Sequence, residues 1–314
     1  MTPDDVAGAV GRLGDRVRRT PVMRARAGEL AVPSDVTLKL ELLQHTGSFK
    51  PRGAFNRVLS AREAGEVPPS GLIAASGGNH GAAVAHVAGE LGLAAEVFVP
   101  ATSPATKRER ITSLGATVHV IDGYYDDAQA AANERRAETG ALLVHPYDHP
   151  AIVAGQGTMA HELDEQIDGY DTLVVATGGG GFVAGQAAWV EDRRRIVSVE
   201  PLTSRCLQAA IEAGRPTPVD VSGLAADSLG ARQLGEVAWS LVRRFVDEAV
   251  VVGDDDIRAA QHVLWERFRL VVEPGGATAL AALRSGAYVP ERGERMVVVV
   301  CGANCDPATV QGDA

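Results

Sequence analysis

Short apolar segments alternate with segments of helical pattern along almost the whole chain. Many of them are apolar on both faces, which is typical of strands in parallel sheets that helices cover on both sides. The sequence therefore predicts an α/β fold built from parallel sheets. Strands are predicted over residues 37–42, 72–76, 95–99, 117–121, 142–145, 172–177, 196–200, 249–252 and 296–301. Helices are predicted, among other stretches, over residues 54–63, 82–91, 105–114, 126–138 and 254–268.

The order of these segments also predicts the domains. The repeat of strands and helices between residues 72 and 145 is compact enough to form a smaller lobe inserted into a larger one. We therefore predict a large domain over residues 1–65 and 149–314 and a small domain over residues 66–148. Because no linker or low-complexity tract marks these boundaries, they follow from topology alone.

Charge and composition exclude several classes of protein. The net charge is −10, and acidic and basic residues are interspersed, which argues against a nucleic-acid-binding surface. No apolar stretch reaches membrane-spanning length, and the N-terminus shows no signal peptide. The three cysteines fit neither a disulfide framework nor a zinc site. We therefore expect a cytoplasmic protein that acts on a small molecule, without nucleic-acid or membrane partners.

Lysine is rare in this chain and occurs only at positions 39, 50 and 107, so arginine supplies most of the positive charge. Since a guanidinium does not ordinarily form a Schiff base, we expect a retained lysine to be needed as an amine. Lys50 lies in the segment TGSFKPRGA over residues 46–54, directly before a proline that suits a first helical turn. A solvated surface lysine is the ordinary alternative, but scarcity and position favour a covalent catalyst.

Two glycine-rich segments follow predicted strands, SGGNHG over residues 76–81 and TGGGGF over residues 177–182. Glycines let the backbone approach a ligand, and free N–H groups at a helix start bind carboxylate or phosphate. Four consecutive glycines are hard to explain by packing, since each raises the entropy lost on folding. An anion-binding turn is therefore favoured for residues 178–181. For Asn79, a plain helix cap is the alternative to contact with a ligand.

Two further interpretations remain open at this point. Gly179, Gly181 and Ala184 match the glycine pattern of a dinucleotide fold, and an acidic residue about twenty positions later, Glu200, is placed as its ribose partner. This would indicate an NAD-dependent oxidoreductase, but it leaves the other glycine cluster and the lysine unexplained. Cys301 ends the last predicted strand, at the edge where α/β sites form, although many such cysteines belong only to the core.

Taken together and in this order, the segments resemble the fold-type II pyridoxal-5′-phosphate (PLP) enzymes, specifically the serine/threonine dehydratase and serine racemase family. The likeness runs from residue 20 to residue 304 and includes VHPYD at 144–148, GQGT at 155–158, VEP at 199–201 and EPG at 273–275. Cysteine and threonine synthases usually carry aspartate where this chain has Pro51, so the segment is similar to the dehydratase branch. The resemblance implies a two-domain, tryptophan synthase β-like architecture.

The resemblance also implies roles for individual residues. Lys50 would hold PLP as a Schiff base and then act as the base at Cα of the substrate. Phe49 would flank the cofactor ring, Asn79 would contact its hydroxyl, and Cys301 would face its nitrogen. The implied cofactor-binding residues are Lys50, Phe49, Asn79, Gly178, Gly179, Gly180, Gly181, Phe182 and Cys301. The implied residues for the substrate carboxylate are Ser76, Gly77, Gly78, Asn79 and His80.

The implied activity is β-elimination from a β-hydroxy amino acid, with L-threonine and L-serine expected, to give a 2-oxo acid and ammonia. A neutral thiol at Cys301 would leave the ring nitrogen unprotonated, which favours loss of the β-leaving group over transamination. A specialised substrate such as 3-hydroxyaspartate, amino-acid racemisation, and a cofactor-loaded binding or sensing protein remain alternatives. Racemisation is disfavoured because Gly77 stands where racemases place a serine.

The divalent-cation site of the family pairs a glutamate with an acidic residue six positions later. Glu200 fits the first position, but Cys206 replaces the acid, so we expect no metal, with Glu200 as the one candidate ligand. Because the chain stops soon after Asn304, we expect no isoleucine-binding regulatory domain and a role in amino-acid degradation. The resemblance also implies a homodimer whose small-molecule partner is an amino acid.

Overall fold

The computed structural model describes residues 1–311 and contains two sheets with helices packed around them. The strands are β1 (Val22–Ala25), β2 (Val36–Lys39), β3 (Leu72–Ala75), β4 (Ala95–Pro100), β5 (Thr117–Ile121), β6 (Leu142–Leu143), β7 (Thr172–Ala176), β8 (Arg195–Pro201), β9 (Glu248–Val252) and β10 (Met296–Val299). The helices are α1 (Pro3–Leu13), α2 (Lys50–Glu63), α3 (Asn79–Leu91), α4 (Ala105–Ser113), α5 (Tyr125–Thr139), α6 (Pro150–Gln166), α7 (Gly181–Val190), α8 (Cys206–Ala213), α9 (Ala226–Leu229), α10 (Glu236–Phe245), α11 (Asp254–Phe268) and α12 (Pro274–Ser285).

The larger sheet has the strand order β1-β2-β10-β7-β8-β9. Its neighbouring strands run parallel, apart from β1, which is antiparallel to β2. Every residue of β7 and β10 is buried, and α12 packs along both strands. Such strands read as unbroken apolar runs because neither face meets water.

The smaller sheet has the order β5-β4-β3-β6 and is parallel throughout. Alternate residues of β3 enter separate cores, because successive side chains of a strand point to opposite faces. Leu72 and Ala74 join the core on the side of α3, whereas Ile73 and Ala75 join the core on the side of α5. The carboxyl end of β3 therefore leads into a loop that is held between two helical layers.

The predicted α/β fold with parallel sheets flanked by helices is confirmed, with corrections at the ends of elements. The predicted strand 37–42 is too long, because the chain turns into a short 3₁₀ helix at Glu41–Leu43. Strand β1 is missing from the prediction, since this four-residue edge strand includes the exposed Arg24 and shows no apolar run. Within residues 1–311, no helix has both the length and the apolar character that crossing a membrane requires.

Candidate active site

A cavity of about 460 Å³ lies between the two sheets. It is bounded by the loop after β3, the loop after β4, the loop after β7 and the start of α2. Two of these loops, residues 76–80 and 178–181, are the glycine-rich segments noted in the sequence. The cavity therefore forms where parallel strands end, which is the usual place for a ligand in α/β proteins.

Lys50 is the first residue of α2 and lines this cavity. Its position is fixed from the neighbouring strand exit, since the N–H of Phe49 donates to the Cys301 carbonyl at 3.2 Å. The Lys50 Nζ donates to the Pro146 carbonyl at 2.9 Å. Burial lowers the pKa of this amine to about 8, although Cys301 and Glu273 act in the opposite direction. A sizeable fraction of the amine is therefore neutral near pH 8, which makes it nucleophilic.

The loop Gly178–Gly181 lines the same cavity and leads into α7. Gly180 has a φ of 85°, which favours glycine over residues with a side chain. A Cβ at Gly179 would lie 2.5 Å from the ring of Tyr147, and one at Gly181 would lie 2.5 Å from the Tyr147 carbonyl oxygen. The expectation that packing does not explain these glycines is therefore wrong, because close packing against Tyr147 also requires them.

Phe49 and Phe182 lie at the two ends of this arrangement and touch each other. Their rings stack with centroids 4.0 Å apart, and both side chains are largely buried. Both residues also line the cavity. The start of α2 and the start of α7 are thereby joined through an aromatic pair, which keeps Lys50 and the glycine loop at a fixed separation.

The loop between β3 and α3 contributes Ser76, Gly77, Gly78, Asn79 and His80, all of which line the cavity. The N–H of Gly78 donates to the Ser76 hydroxyl at 3.3 Å, which shapes the turn. The ring of His80 lies 2.7 Å from the Val144 carbonyl through its Nε2. Burial lowers the pKa of His80 to about 3, so the ring is neutral and structural in character.

Asn79 does not cap α3 with its side chain, so the alternative of a plain helix cap is not observed. Its Nδ2 donates to Oε1 of Glu273 at 2.6 Å, and its Oδ1 accepts from Nδ2 of Asn304 at 2.5 Å. The amide orientation is therefore fixed by two partners from the large sheet's side of the chain. Sequence reasoning gave Glu273 no role, although its EPG segment was noted.

Glu273 is buried and reaches Asn79 only because residue 302 is glycine. A Cβ at Gly302 would overlap the Glu273 carboxylate. Burial raises the pKa of Glu273 to about 7, and the hydrogen bond from Asn79 and the charge of Lys107 oppose that rise. This buried carboxyl is thus an ionisable group beside the cavity, in the range where enzymes act.

Cys301 lies beneath the cavity wall and is 4% exposed, but it is not one of the cavity-lining residues. Its Sγ donates to the Gly275 carbonyl at 3.4 Å. Burial and the nearby Glu273 raise the pKa of Cys301, so the thiol is neutral. The structure thus brings Cys301 to the site's edge, next to Lys50, rather than into its open volume.

Glu200 lies away from the cavity and its carboxylate caps α8. It accepts the N–H groups of Leu207 at 2.7 Å and Gln208 at 2.9 Å. The neighbouring Cys206 donates to the Gly178 carbonyl at 3.1 Å, so it supports the glycine loop from behind. In the part of the chain that the structure describes, no cluster of three or more metal-binding side chains is found.

Comparison with known proteins gives these features a context. A family model described as "Pyridoxal-phosphate dependent enzyme" matches residues 13–302. The L-threonine dehydratase biosynthetic IlvA of Haemophilus influenzae is 34% identical over 98% of the chain and 61% of its own length. The chain thus spans less than two thirds of that relative. The phenylserine dehydratase of Ralstonia pickettii is 35% identical over 97% of the chain and 93% of its own length.

Solved structures also match over almost the full chain. The serine racemase of maize superposes with a TM-score of 0.90, with 31% identity, 98% of this chain covered and 95% of that chain. A bacterial threonine deaminase superposes with a TM-score of 0.89, with 32% identity, 98% of this chain covered and 99% of that chain. These matches confirm the resemblance drawn from the motifs. They also favour the PLP interpretation of the glycine loop over the dinucleotide interpretation.

Proposed function

The chain belongs to the family of pyridoxal-phosphate dependent enzymes, and from this membership we propose that it is an ammonia-lyase. It converts a neutral β-hydroxy amino acid into a 2-oxo acid and ammonia. The observation that carries this proposal is that the amine of Lys50 and the four-glycine loop line one cavity. The named relatives act on substrates of this kind, as their names state.

The residues of the cavity fit PLP. A buried amine with a lowered pKa suits bond formation with an aldehyde. The backbone of Gly178–Gly181 at the start of α7 suits a phosphate, because the first N–H groups of a helix have no partner within it. Asn79, held in one orientation by Glu273, suits contact with a ring hydroxyl. We assign Phe49, Phe182 and Cys301 to the same cofactor site.

When bound, PLP supplies an aldehyde for the amine and a ring that stabilises negative charge at Cα. We assign Lys50 as the group that carries the cofactor and then takes the Cα proton onto its Nζ. The Pro146 carbonyl, 2.9 Å from this atom, orients the amine for that transfer. The neutral thiol of Cys301 gives the ring nitrogen no charged partner, which favours early loss of the β-hydroxyl.

The charges at the cavity favour a neutral substrate side chain. Among the described residues that line it, the cations are Lys50 and Arg232, and Arg232 is paired with Asp126 at 2.9 Å. Asp227 adds a second negative charge to the wall. A second carboxylate, as in 3-hydroxyaspartate, would therefore meet acidic side chains without a free cation. L-threonine and L-serine remain the expected substrates, and 3-phenylserine is a further candidate because Tyr125 and Tyr147 form part of the wall.

The test of this proposal is a release assay for 2-oxo acids. The purified enzyme is given the L- and D-forms of serine, threonine, 3-hydroxyaspartate and 3-phenylserine. We expect 2-oxo acid and ammonia in equal amounts from at least one neutral L-substrate, and kcat/KM for 3-hydroxyaspartate at least about tenfold lower. Product from none of them, with absorbance typical of bound cofactor, would leave the binding or sensing alternative.

The buried carboxyl of Glu273 predicts a pH dependence of stability. Its pKa is higher in the folded chain, about 7, than its ordinary value of 4.5, so the folded state holds this proton more tightly. The resulting stabilisation is complete below pH 4.5 and is lost as the pH rises through 7. We expect Glu273→Gln to flatten this decline, by on the order of 3 kcal/mol between pH 5 and 8.

Urea unfolding of both proteins at several pH values measures this difference. Glu200→Gln is a matched control, since the pKa of Glu200 is also raised to about 7 by burial, but its carboxylate caps α8 away from the cavity. Only Glu273→Gln should also lower the pKa of Lys50 in the cofactor-free protein, because it removes a negative charge near that amine. An unchanged Lys50 pKa would contradict this coupling.

We further propose a homodimer, a cytoplasmic location, and domain boundaries near residues 65 and 148. The two-sheet arrangement supports these boundaries, since the strands of the small sheet all lie between residues 72 and 143. Light scattering of the purified protein tests the dimer, and a mass of 32.8 kDa would argue against it.

A further inference from the structure

The loop after β4 places a hydroxyl against the loop after β3. Ser103 lines the cavity and is half-buried. A Cβ on Gly77 would overlap the Oγ of Ser103 and lie 2.9 Å from its Cβ. The space that a side chain at residue 77 would fill is therefore occupied by the side chain of Ser103. The two positions are complementary, since one hydroxyl-bearing side chain fits there and two do not.

The backbone, rather than the hydroxyl, holds the turn that carries Ser103. The N–H of Ser103 donates to the Pro100 carbonyl at 2.9 Å, and the N–H groups of Lys107 and Arg108 donate to the Pro104 carbonyl at 3.1 and 3.3 Å. The local structure thus does not depend on the side chain of Ser103. A serine at such a position is free to use its hydroxyl for a ligand.

The neighbouring cations are already paired. Lys107 on α4 forms an ion pair with Asp227, and Arg232 pairs with Asp126. An amino-acid carboxylate that enters this side of the cavity therefore meets neutral donors. Hydroxyl and backbone N–H groups bind a carboxylate well when they are preorganised, because hydrogen bonds to a charged group are stronger than those between neutral groups.

We propose that the Ser103 hydroxyl binds the carboxylate of the amino-acid substrate, from the space that Gly77 leaves open. This inference rests on the proposed function, because it takes an amino acid as the ligand. It assigns a substrate-binding residue to a loop of the small sheet, outside the glycine-rich segments.

A binding experiment with unreactive ligands tests the proposal apart from catalysis. The PLP-loaded enzyme is titrated with L-2-aminobutyrate, which lacks the β-hydroxyl, and with 1-aminopropane, which also lacks the carboxylate. Absorbance of the cofactor reports both. We expect Ser103→Ala to weaken 2-aminobutyrate by roughly tenfold or more and to leave 1-aminopropane within twofold. Thr112→Ala is the control, because its hydroxyl bonds to the Arg108 carbonyl on α4, outside the cavity lining.

Two results would overturn the proposal. The amino acid and the amine weakened equally would mean that Ser103 only supports the cavity, and unchanged affinity for both would mean that it touches neither. Loss of 2-oxo acid formation in the wild type, with Ser103-dependent binding of 2-aminobutyrate intact, would contradict the proposed function alone.

A thermal unfolding experiment tests the complementarity of the two positions without any ligand. We expect Gly77→Ser to lower the Tm of the cofactor-free protein by several degrees, because its side chain would overlap Ser103. Combining it with Ser103→Gly should restore at least half of that loss. A Gly77→Ser protein as stable as the wild type would contradict the packing on which the inference depends.

Discussion

Replacing Lys50 with alanine is expected to reduce the rate of 2-oxo acid formation by about 10³-fold or more. The reason is that a single amine carries the cofactor and moves the Cα proton in the proposed reaction. Borohydride treatment of the wild type should fix the cofactor covalently and bleach its colour. The Lys50→Ala protein should give no such adduct at this position.

The rarity of lysine makes this experiment unusually clean. Only Lys39 and Lys107 offer other side-chain amines. Lys39 is buried and lies 2.5 Å from Glu162, and Lys107 is paired with Asp227. Peptide mapping of the reduced protein should therefore find the adduct on Lys50, and Lys107→Ala should leave that adduct in place. An adduct on Lys107 or Lys39 in the wild type would overturn the assignment.

A second variant separates charge from chemistry at residue 50. Lys50→Arg keeps a positive charge in the buried position but removes the amine that bonds to an aldehyde. We expect it to be as inactive as Lys50→Ala while retaining the fold, measured by circular dichroism. Activity in Lys50→Arg would mean that the charge of the lysine, and not its amine, is what the cavity requires.

The sequence identifies the site where its signals are local. Lys50 before Pro51, and the glycine loops after β3 and β7, are short segments whose chemistry follows from neighbouring residues and from the alternation of strands and helices. The family resemblance adds their order along the chain. These residues indeed line one cavity, since the carboxyl ends of parallel strands come together in space.

Contacts between distant segments are beyond that reasoning. Asn79 and Glu273 are 194 residues apart, and only the fold brings the carboxylate to the amide. The same holds for Ser103 against Gly77, where the informative feature is an absent Cβ. Composition also has limits, because the rarity of lysine gave Lys39 the same weight as Lys50. The structure places Lys39 in a buried ion-pair network, where it serves as a cation.

That buried network leads to the second large effect that we expect. Arg52 donates to both oxygens of Glu41 at 2.8 Å and to Glu162 at 2.8 Å, and Lys39 completes the group. These four side chains are almost fully enclosed. Burial would raise the pKa of Glu41, but the guanidinium beside it keeps that pKa below its usual range. The carboxylates are thus charged because Arg52 is present.

Arg52→Met should therefore destabilise the protein by about 3–5 kcal/mol at pH 7, because two buried carboxylates would share one remaining cation. Urea unfolding measures this loss. The control is Arg19→Met, which breaks an ion pair with Glu165 whose side chains are half-exposed, and we expect about 1 kcal/mol or less. Equal effects of the two variants would mean that the enclosed network adds no more than a surface pair.

The pH dependence of this loss identifies its electrostatic origin. In the wild type, the lowered pKa of Glu41 contributes stability above its ordinary value of 4.5, and this is lost as the pH falls. In Arg52→Met the carboxyl is buried without its partner, so it takes up a proton more readily and the gap between the two proteins should narrow as the pH falls from 7 to 5. Because Arg52 lies in the first turn of α2, two residues after Lys50, the same variant should also release the cofactor more easily. A gap that stays constant with pH would point to lost packing around the Arg52 side chain instead of unpaired charge.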